Sequence, residues 1–488
     1  MKHHSDCTVC RCVIHSEGFI SPFESRDSKL LFIASTFHFD TPSNTTQSIA
    51  NASTISSTVS FSACSLQNVV CAQDSLLASS QVKHTIIISC CFQNITRHTP
   101  IHSRNTLVEA PFNVTISQST FSDCVNPLSG GIVRDVEDQT TLCAMNSTFT
   151  GTITNGETEG DTFSDRDEAV VVDTDHTFLS CVFSRCHAVE TAGGAIRCLS
   201  GASLNVTKCE FFDNSALNDV FESTFTLSTG GAIHFNGMDI GGLTIVLSLF
   251  ERNKASFGGS VSSKKAHHLT VQYSNITDSE CIKFDDKNIS YGGGLAFYFL
   301  PLEAVVQNVR FLNCKTVKTG GSIDCQNVSG SITFSNIFIA NSVCEHGNVI
   351  FSTVSDETAI IQFFSCTFFS NTITDDTSPN APIDVRFNNY EPWLTLLKSK
   401  STFVNCFSTS AEPKIAIFTN PGFLTTFEYD DPGNTSTFDI HLPSPGVIVN
   451  GQDGVDGDGC GVEYDDQCKT IAYTGANRTA LAGAPPFQ

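Results

Sequence analysis

Apolar and polar residues alternate along this chain in short runs that end in Gly, Asn or Ser, the pattern of half-buried strands closed by turns. The stretch from Gly193 to Asn253 carries the arrangement most plainly. It reads Gly193-Gly194-Ala195-Ile196, Cys209-Glu210-Phe211-Phe212-Asp213-Asn214, Gly230-Gly231-Ala232-Ile233 and Ser248-Leu249-Phe250-Glu251-Arg252-Asn253. Two signatures alternate here. One is Gly-Gly followed by small and aliphatic residues; the other is Phe-x-x-Asn with Cys or Ser two positions before the Phe. No amphipathic helix of useful length interrupts them.

Both signatures recur. The phenylalanine is found at Phe61, Phe92, Phe121, Phe149, Phe183, Phe211, Phe250, Phe311, Phe338, Phe368 and Phe403, with Tyr273 in its place once and Phe37 opening the series. The Gly-Gly signature begins at Gly130, Gly193, Gly230, Gly258, Gly292 and Gly320, with a weakened copy at Gly347. In most copies Gly-Gly follows the Phe by 8 to 10 residues, as from 121 to 130, 183 to 193 and 311 to 320. A period near 30 residues built from strands too short to bury their own core predicts a solenoid, in which each coil covers the next. Gly-Gly suits a corner that needs positive φ or lacks room for a Cβ. Ile196, Ile233 and Ile323 should point inward with the phenylalanines, and like residues should stack about one strand spacing apart, roughly 4.8 Å. A phenylalanine column accounts for 39 Phe beside 7 Tyr and 1 Trp.

These signatures resemble the repeats of the polymorphic outer-membrane proteins of chlamydiae and of the large β-helix surface proteins of parabasalid and oxymonad protists. The resemblance covers about Phe61 to Cys406. It implies an all-β fold, a right-handed parallel β-helix solenoid of the pectin-lyase type, and a role in adhesion or recognition at the cell surface or outside the cell. Counting one coil per landmark gives about twelve coils with an irregular C-terminal segment. The expected divisions are a tail over 1–29, the helix over 30–407, a cap or linker over 408–450, and a Gly/Asp-rich tail over 451–488. That last tail, with Cys460-Gly461 and Cys468-x-Thr470-Ile471, resembles the opening segment of a second β-helix in the protist proteins, and Cys460 with Cys468 is a candidate disulfide. The bacterial proteins end in a membrane barrel, for which this sequence offers no counterpart.

A net charge of −23 argues against nucleic acid as a partner, since that needs basic surface. No apolar run is long enough to cross a bilayer as a helix, and Met1 to Cys12 has no apolar signal region. Of 21 cysteines, Cys90, Cys181, Cys209 and Cys366 stand two before a landmark Phe. Cys64, Cys124, Cys186, Cys314 and Cys406 stand three after one, where other coils carry Asn214, Asn253, Asn341 or Asn371. These nine read as small buried residues of a ladder, with Cys181 and Cys209 stacked as a relaxed thiol pair. Asn94, Asn113, Asn146, Asn205, Asn275, Asn288 and Asn327 are candidate glycosylation sites on Asn-x-Ser/Thr sequons.

Three segments exceed the repeat: 155–175, 217–228 and 278–290. Insertions at one register of a solenoid emerge on one face, often the binding face. The chemistry of polysaccharide hydrolases on this kind of helix is not spelled out. Asp285-Asp286 and Asp375-Asp376 lack the partner motifs, Asp165, Asp167, Asp173 and Asp175 lack a basic partner, and His234, His267 and His268 read as exposed strand residues. Cys7-x-x-Cys10 and the Asp/Gly run 450–461 are weak metal patterns. The expectation is therefore a non-catalytic monomer without metal or cofactor, whose partner is a host or cell-surface glycan or protein. The alternative is a carbohydrate-active lyase- or hydrolase-like β-helix without recognisable motifs.

Overall fold

In the computed structural model, strands are described between Cys7 and His441. Side chains are described over 31–35, 58–68, 84–95, 113–124, 142–151, 176–188, 192–198, 203–217, 229–282, 290–299, 303–344, 349–353, 359–374 and at 385. The chain forms two compact units, residues 1–267 with 284–287, and residues 268–283 with 288–488. Each is parallel β-solenoid, and all the strand pairs given below are parallel.

One coil of the first unit shows how the sequence makes the turn. Ser203–Thr207 is a five-residue strand with Leu204 and Val206 inward, and it pairs with Gly242–Val246 so that Leu204 meets Leu243 and Val206 meets Ile245. Lys208, at φ 53°, turns the corner, and Cys209 drops into the core. Glu210–Phe212 forms the second ladder, Asp213 at φ 54° turns again, and Asn214 drops in. Ser215–Leu217 forms the third ladder, where Ala188, Ala216 and Ala255 fill the interior. After Gly230-Gly231, Ile233–Asn236 forms the fourth, with Ile233 between Ile196 and Val261.

The corners strain the backbone, because a left-handed conformation costs an ordinary L-residue roughly 1–2 kcal/mol. Each strained amide is nevertheless bonded to the next coil: Lys208 N to Val246 O at 3.0 Å and Asp213 N to Glu251 O at 3.0 Å. At the Gly-Gly corner both glycines are required. Gly230 takes φ 66°, whereas a Cβ on Gly231 would lie 2.1 Å from the Gly259 carbonyl oxygen of the next coil. Lack of room applies to both, since a Cβ on Gly230 would lie 2.0 Å from the Ile233 carbonyl oxygen, while positive φ is required at Gly230.

Phe-x-x-Asn is also a ladder device. Asn214 accepts the Cys186 amide at 2.9 Å and donates to the Phe183 carbonyl at 3.1 Å. Asn253 does the same one coil on, accepting from Asn214 N at 3.0 Å and donating to the Phe211 carbonyl at 3.1 Å. A buried amide thus satisfies two backbone groups that the sharp corner leaves over.

The phenylalanine column exists in the first unit. Phe92, Phe121, Phe149, Phe183, Phe211 and Phe250 stack with successive centroid distances of 4.6, 5.1, 4.9, 4.9 and 4.7 Å. Ile196, Ile233 and Ile323 are buried as expected.

Four landmarks do not belong to this column. Phe61 lies on the first ladder, stacked on Phe32 at 4.6 Å, and Phe403 pairs with Phe363 on that ladder too. Tyr273 is the left-handed first corner and is exposed, while Ile276 takes the slot opposite Phe311. Phe338 is half-buried and faces Arg310, whose guanidinium lies 5.7 Å from its ring; Ile339 fills the core opposite Phe311. Asn341 is accordingly a corner residue at φ 52°, and Ser342 takes the buried position. Because the landmarks mix two ladders and a corner position, they do not count coils. Among the described residues the solenoid has about eight turns, not twelve. Strands also pair outside 30–407: Cys7–Cys10 runs along Lys29–Ile33, and Leu424–Glu428 along Lys400–Val404.

Candidate functional site

The interior is occupied by side chains that hold the ladders, so chemistry directed at a partner has to sit on outward positions. The passage from the third ladder to the fourth is the richest. In the second unit Glu280–Cys281 ends the third ladder, and residues 283–289 follow before Ser290, Tyr291 and Gly292. The two ends of this excursion are tied together. Ser290 Oγ donates to the Cys281 carbonyl at 3.0 Å, and Cys281 Sγ lies 3.0 and 3.1 Å from the carbonyl oxygens of Tyr291 and Gly292. Ser290 Oγ is also 2.9 Å from Thr316 Oγ1 and accepts the Val317 amide at 3.2 Å, which fixes the clamp to the following coil. The expected insertion 278–290 was therefore drawn too wide. Asp278 is a corner at φ 50°, and Ser279, Cys281 and Ser290 are buried within the coil.

In the first unit Leu217 ends the third-ladder strand and Thr229 resumes at an isolated parallel bridge to Phe257, with 218–228 between them in sequence. The segment 155–175 is built differently. It contains the fourth-ladder strand Phe163–Ser164, paired through Phe163 with Ile196, so it is not an excursion at one turn.

Beside each excursion lies a buried titratable group. In Thr229-Gly-Gly-Ala-Ile-His234 the Thr229 hydroxyl is 2.7 Å from His234 Nδ1. In Thr319-Gly-Gly-Ser-Ile-Asp324 the Thr319 hydroxyl donates to Asp324 Oδ2 at 2.6 Å. His234, only 9% exposed and not the exposed strand residue expected, lies between Arg197 and Ser262 on the ladder. Burial first, then the charges of Arg197 and Lys264, push its imidazole down to about 3, so it is neutral. Asp324 is fully buried, and burial pushes its carboxyl up to about 7 against hydrogen bonds from Thr319 and Gln326 and the charge of Lys318. Its Oδ1 makes no hydrogen bond. Lys318 Nζ donates to the Tyr291 hydroxyl at 2.8 Å and stands 5.0 Å from that ring's centroid, a half-buried cation–π pair at the foot of the excursion.

A second outward group adjoins the other excursion. His187 Nδ1 is 2.7 Å from Ser215 Oγ, and burial and Arg185 lower the imidazole against Asp213. At the neighbouring corner Arg252 grips Asp213 through Nε at 2.7 Å and Nη2 at 3.1 Å, and it also contacts Glu251. That pair is exposed, so it fixes the corner only weakly.

Of the candidate sequon asparagines, Asn94, Asn146 and Asn275 are exposed, and Asn113 and Asn205 are half-buried. Asn327 is 2% exposed with neither side-chain atom hydrogen-bonded. Asn288, Asp285-Asp286, Asp375-Asp376, Cys460, Cys468, the run 450–461 and the side chains of Cys7, Cys10, Asp165, Asp167, Asp173 and Asp175 lie outside the described residues. Among the described residues no group of three or more His, Cys, Asp or Glu is placed to hold a metal, and no helix is long and apolar enough to cross a membrane. The Thr–His and Thr–Asp pairs could have been read from the sequence, because the hexapeptide Thr-Gly-Gly-x-Ile-(His/Asp) occurs at both places. Compared with family models and with curated proteins, the chain matches none.

Proposed function

We propose that this chain is a non-catalytic recognition scaffold, a right-handed pectin-lyase-like helix working at the cell surface or outside the cell, whose excursions between the third and fourth ladders meet the partner. The observation that carries this reading is the clamp of Cys281 and Ser290. The coil closes here on hydrogen bonds among Cys281, Ser290, Tyr291, Gly292 and Thr316. Sequence carried on a rigid support without a packing role is where recognition usually resides. Half-buried Tyr291 and Lys318 supply a ring face and an ammonium group at its foot, a pairing suited to a glycan or to an acidic protein surface. The likeness of the two signatures to chlamydial and protist surface proteins supports the same setting.

The test uses the full chain and a variant in which 283–289 is replaced by Gly-Gly, both applied to a glycan array and to intact cells. Loss of binding with an unchanged melting temperature supports the proposal. Undiminished binding by a variant that also lacks 218–228 moves recognition elsewhere.

The enzymatic alternative draws on one feature, Asp324, since a carboxyl held near neutrality beside an ammonium group suits general acid–base work. It predicts turnover of a polyuronide that Asp324→Asn abolishes. Absence of turnover in the unaltered chain, tested on pectin and alginate, counts against it.

A further inference from the structure

We infer that Cys64 with Cys90, and Cys181 with Cys209, are two oxidisable dithiols, each able to close to a disulfide that staples one coil of the first unit to the next. All four occupy the inward position after the first corner. Phe61 and Ile87 are register partners just before one pair, as are Leu179 and Thr207 before the other. Adjacent coils hold their Cα atoms about one strand spacing, roughly 4.8 Å, apart. That falls inside the separation a disulfide accepts, about 4.4–6.8 Å.

The resting thiols form a hydrogen-bonded ladder. Cys90 Sγ lies 3.4 Å from the Cys64 amide and 3.2 Å from the Ile88 carbonyl, and Cys209 Sγ lies 3.4 Å from both the Cys181 amide and the Thr207 carbonyl. Serine performs this duty equally well on other coils. Ser119 Oγ accepts from Cys90 N at 3.1 Å and donates to Ser117 O at 2.9 Å, and Ser248 Oγ accepts from Cys209 N at 3.2 Å and donates to Val246 O at 3.0 Å. The ladder thus does not need cysteine. Two cysteines in succession add thiol chemistry that serine lacks.

Within each pair the thiols are unequal. The hydrogen bond from Cys90 lowers the Cys64 thiol to about 7 against burial, and the bond from Cys209 lowers Cys181 in the same way. The lower-pKa member is therefore the attacking thiolate. Cys64 and Cys90 sit directly beneath the exposed corner residues Ala63 and Ser89, so opening one corner reaches them.

The oxidant is a low-molecular-weight disulfide such as oxidised glutathione. The Cys64 thiolate attacks one of its sulfurs; that S–S bond breaks, one glutathione thiolate leaves, and a mixed disulfide forms. Cys90, losing its proton to solvent, attacks the Cys64 sulfur and expels the second glutathione thiolate. Two protein thiols are oxidised and one small disulfide is reduced. Cys181 and Cys209 react alike.

To test this, the native full chain is incubated with oxidised glutathione, quenched with acid, alkylated in denaturant and mapped by mass spectrometry. Cross-linked peptides joining 64 to 90 and 181 to 209 are expected, with four alkylatable thiols lost at these positions. Cys314, which has Ser279 and Ser342 on the neighbouring coils, should stay alkylated. Cys209→Ser, which puts at 209 the residue the ladder already uses at 248, should remove only the 181–209 link. If the four cysteines stay as alkylatable as Cys314, or if Cys181 in that variant pairs elsewhere just as fast, the inference is overturned.

Discussion

The two units use one hexapeptide to opposite electrostatic ends. In the first, Thr229 holds a buried histidine; in the second, Thr319 holds a buried aspartate at the same place in the motif. Backbone and hydroxyl partner are alike, so the difference lies in the charge each group refuses to carry. Burial keeps His234 from gaining a proton and Asp324 from losing one. A solenoid position is thus a fixed environment into which different chemistry can be set, and the sign of its pH response follows from the residue alone.

The aromatic column offers the largest effect with which to probe this contrast. Phe211 stacks between Phe183 and Phe250, whereas the corresponding column of the second unit runs Ile276, Phe311, Ile339, Phe368. Phe211→Ala should cost roughly 3–5 kcal/mol and Ile339→Ala roughly 2–5 kcal/mol. Hydrogen exchange at the core amides of each unit reads the loss. A cost below about 1 kcal/mol for Phe211→Ala would mean the ladder register is wrong.

The pH responses come next and should oppose each other. His234 falls from 6.5 to about 3, so the unfolded chain takes up a proton that the folded one refuses. Its contribution is full above pH 6.5 and is lost as pH falls toward 3. Asp324 rises from 3.8 to about 7, so the folded chain keeps a proton the unfolded one has released. Stability there is greatest below pH 3.8 and is lost as pH rises to 7. At about 1.4 kcal/mol per pH unit each effect reaches roughly 4 kcal/mol. Protection of the Ile233 amide should therefore weaken on going from pH 7 to 5, and that of Ile323 should strengthen. Asp324→Asn should flatten the second trend and leave the first; a pH profile unchanged by Asp324→Asn would remove the carboxyl from the explanation.

Removing the shared hydroxyl should matter less. Thr229→Val and Thr319→Val each leave a buried polar group short of one partner, at a cost of about 1–3 kcal/mol. Equal melting temperatures for both variants and the unaltered chain would show that the hydroxyls do not support these groups.

The same contrast explains what could be read in advance. Periodicity and the Gly-Gly and Phe-x-x-Asn signatures announced a parallel β-solenoid, and the unbroken column from Phe92 to Phe250 kept its landmarks in step. In the second unit aliphatic residues take over, and Phe338 and Tyr273 stand one to three positions from the core slots of Ile339 and Ile276. Nothing in residue type marks the corners, since Lys208, Leu247, Arg252 and Tyr273 all adopt φ between 51° and 55°. Corner geometry is imposed by bonds to the neighbouring coil, and a sequence read one segment at a time does not display those bonds. The clamp of Cys281 and Ser290 stayed hidden for the same reason.

The smallest predicted effect tests the central claim, that the coil closes through Cys281 and Ser290. The measurement is the melting temperature of the full chain with 283–289 replaced by Gly-Gly. If the Ser290–Cys281 and Ser290–Thr316 bonds close the turn, the change stays within about 2 °C, the shift expected for less than about 1 kcal/mol in a chain this large. A fall of 10 °C or more, with hydrogen-exchange protection lost at Leu295 and Ile323, would contradict the account and make the excursion part of the fold.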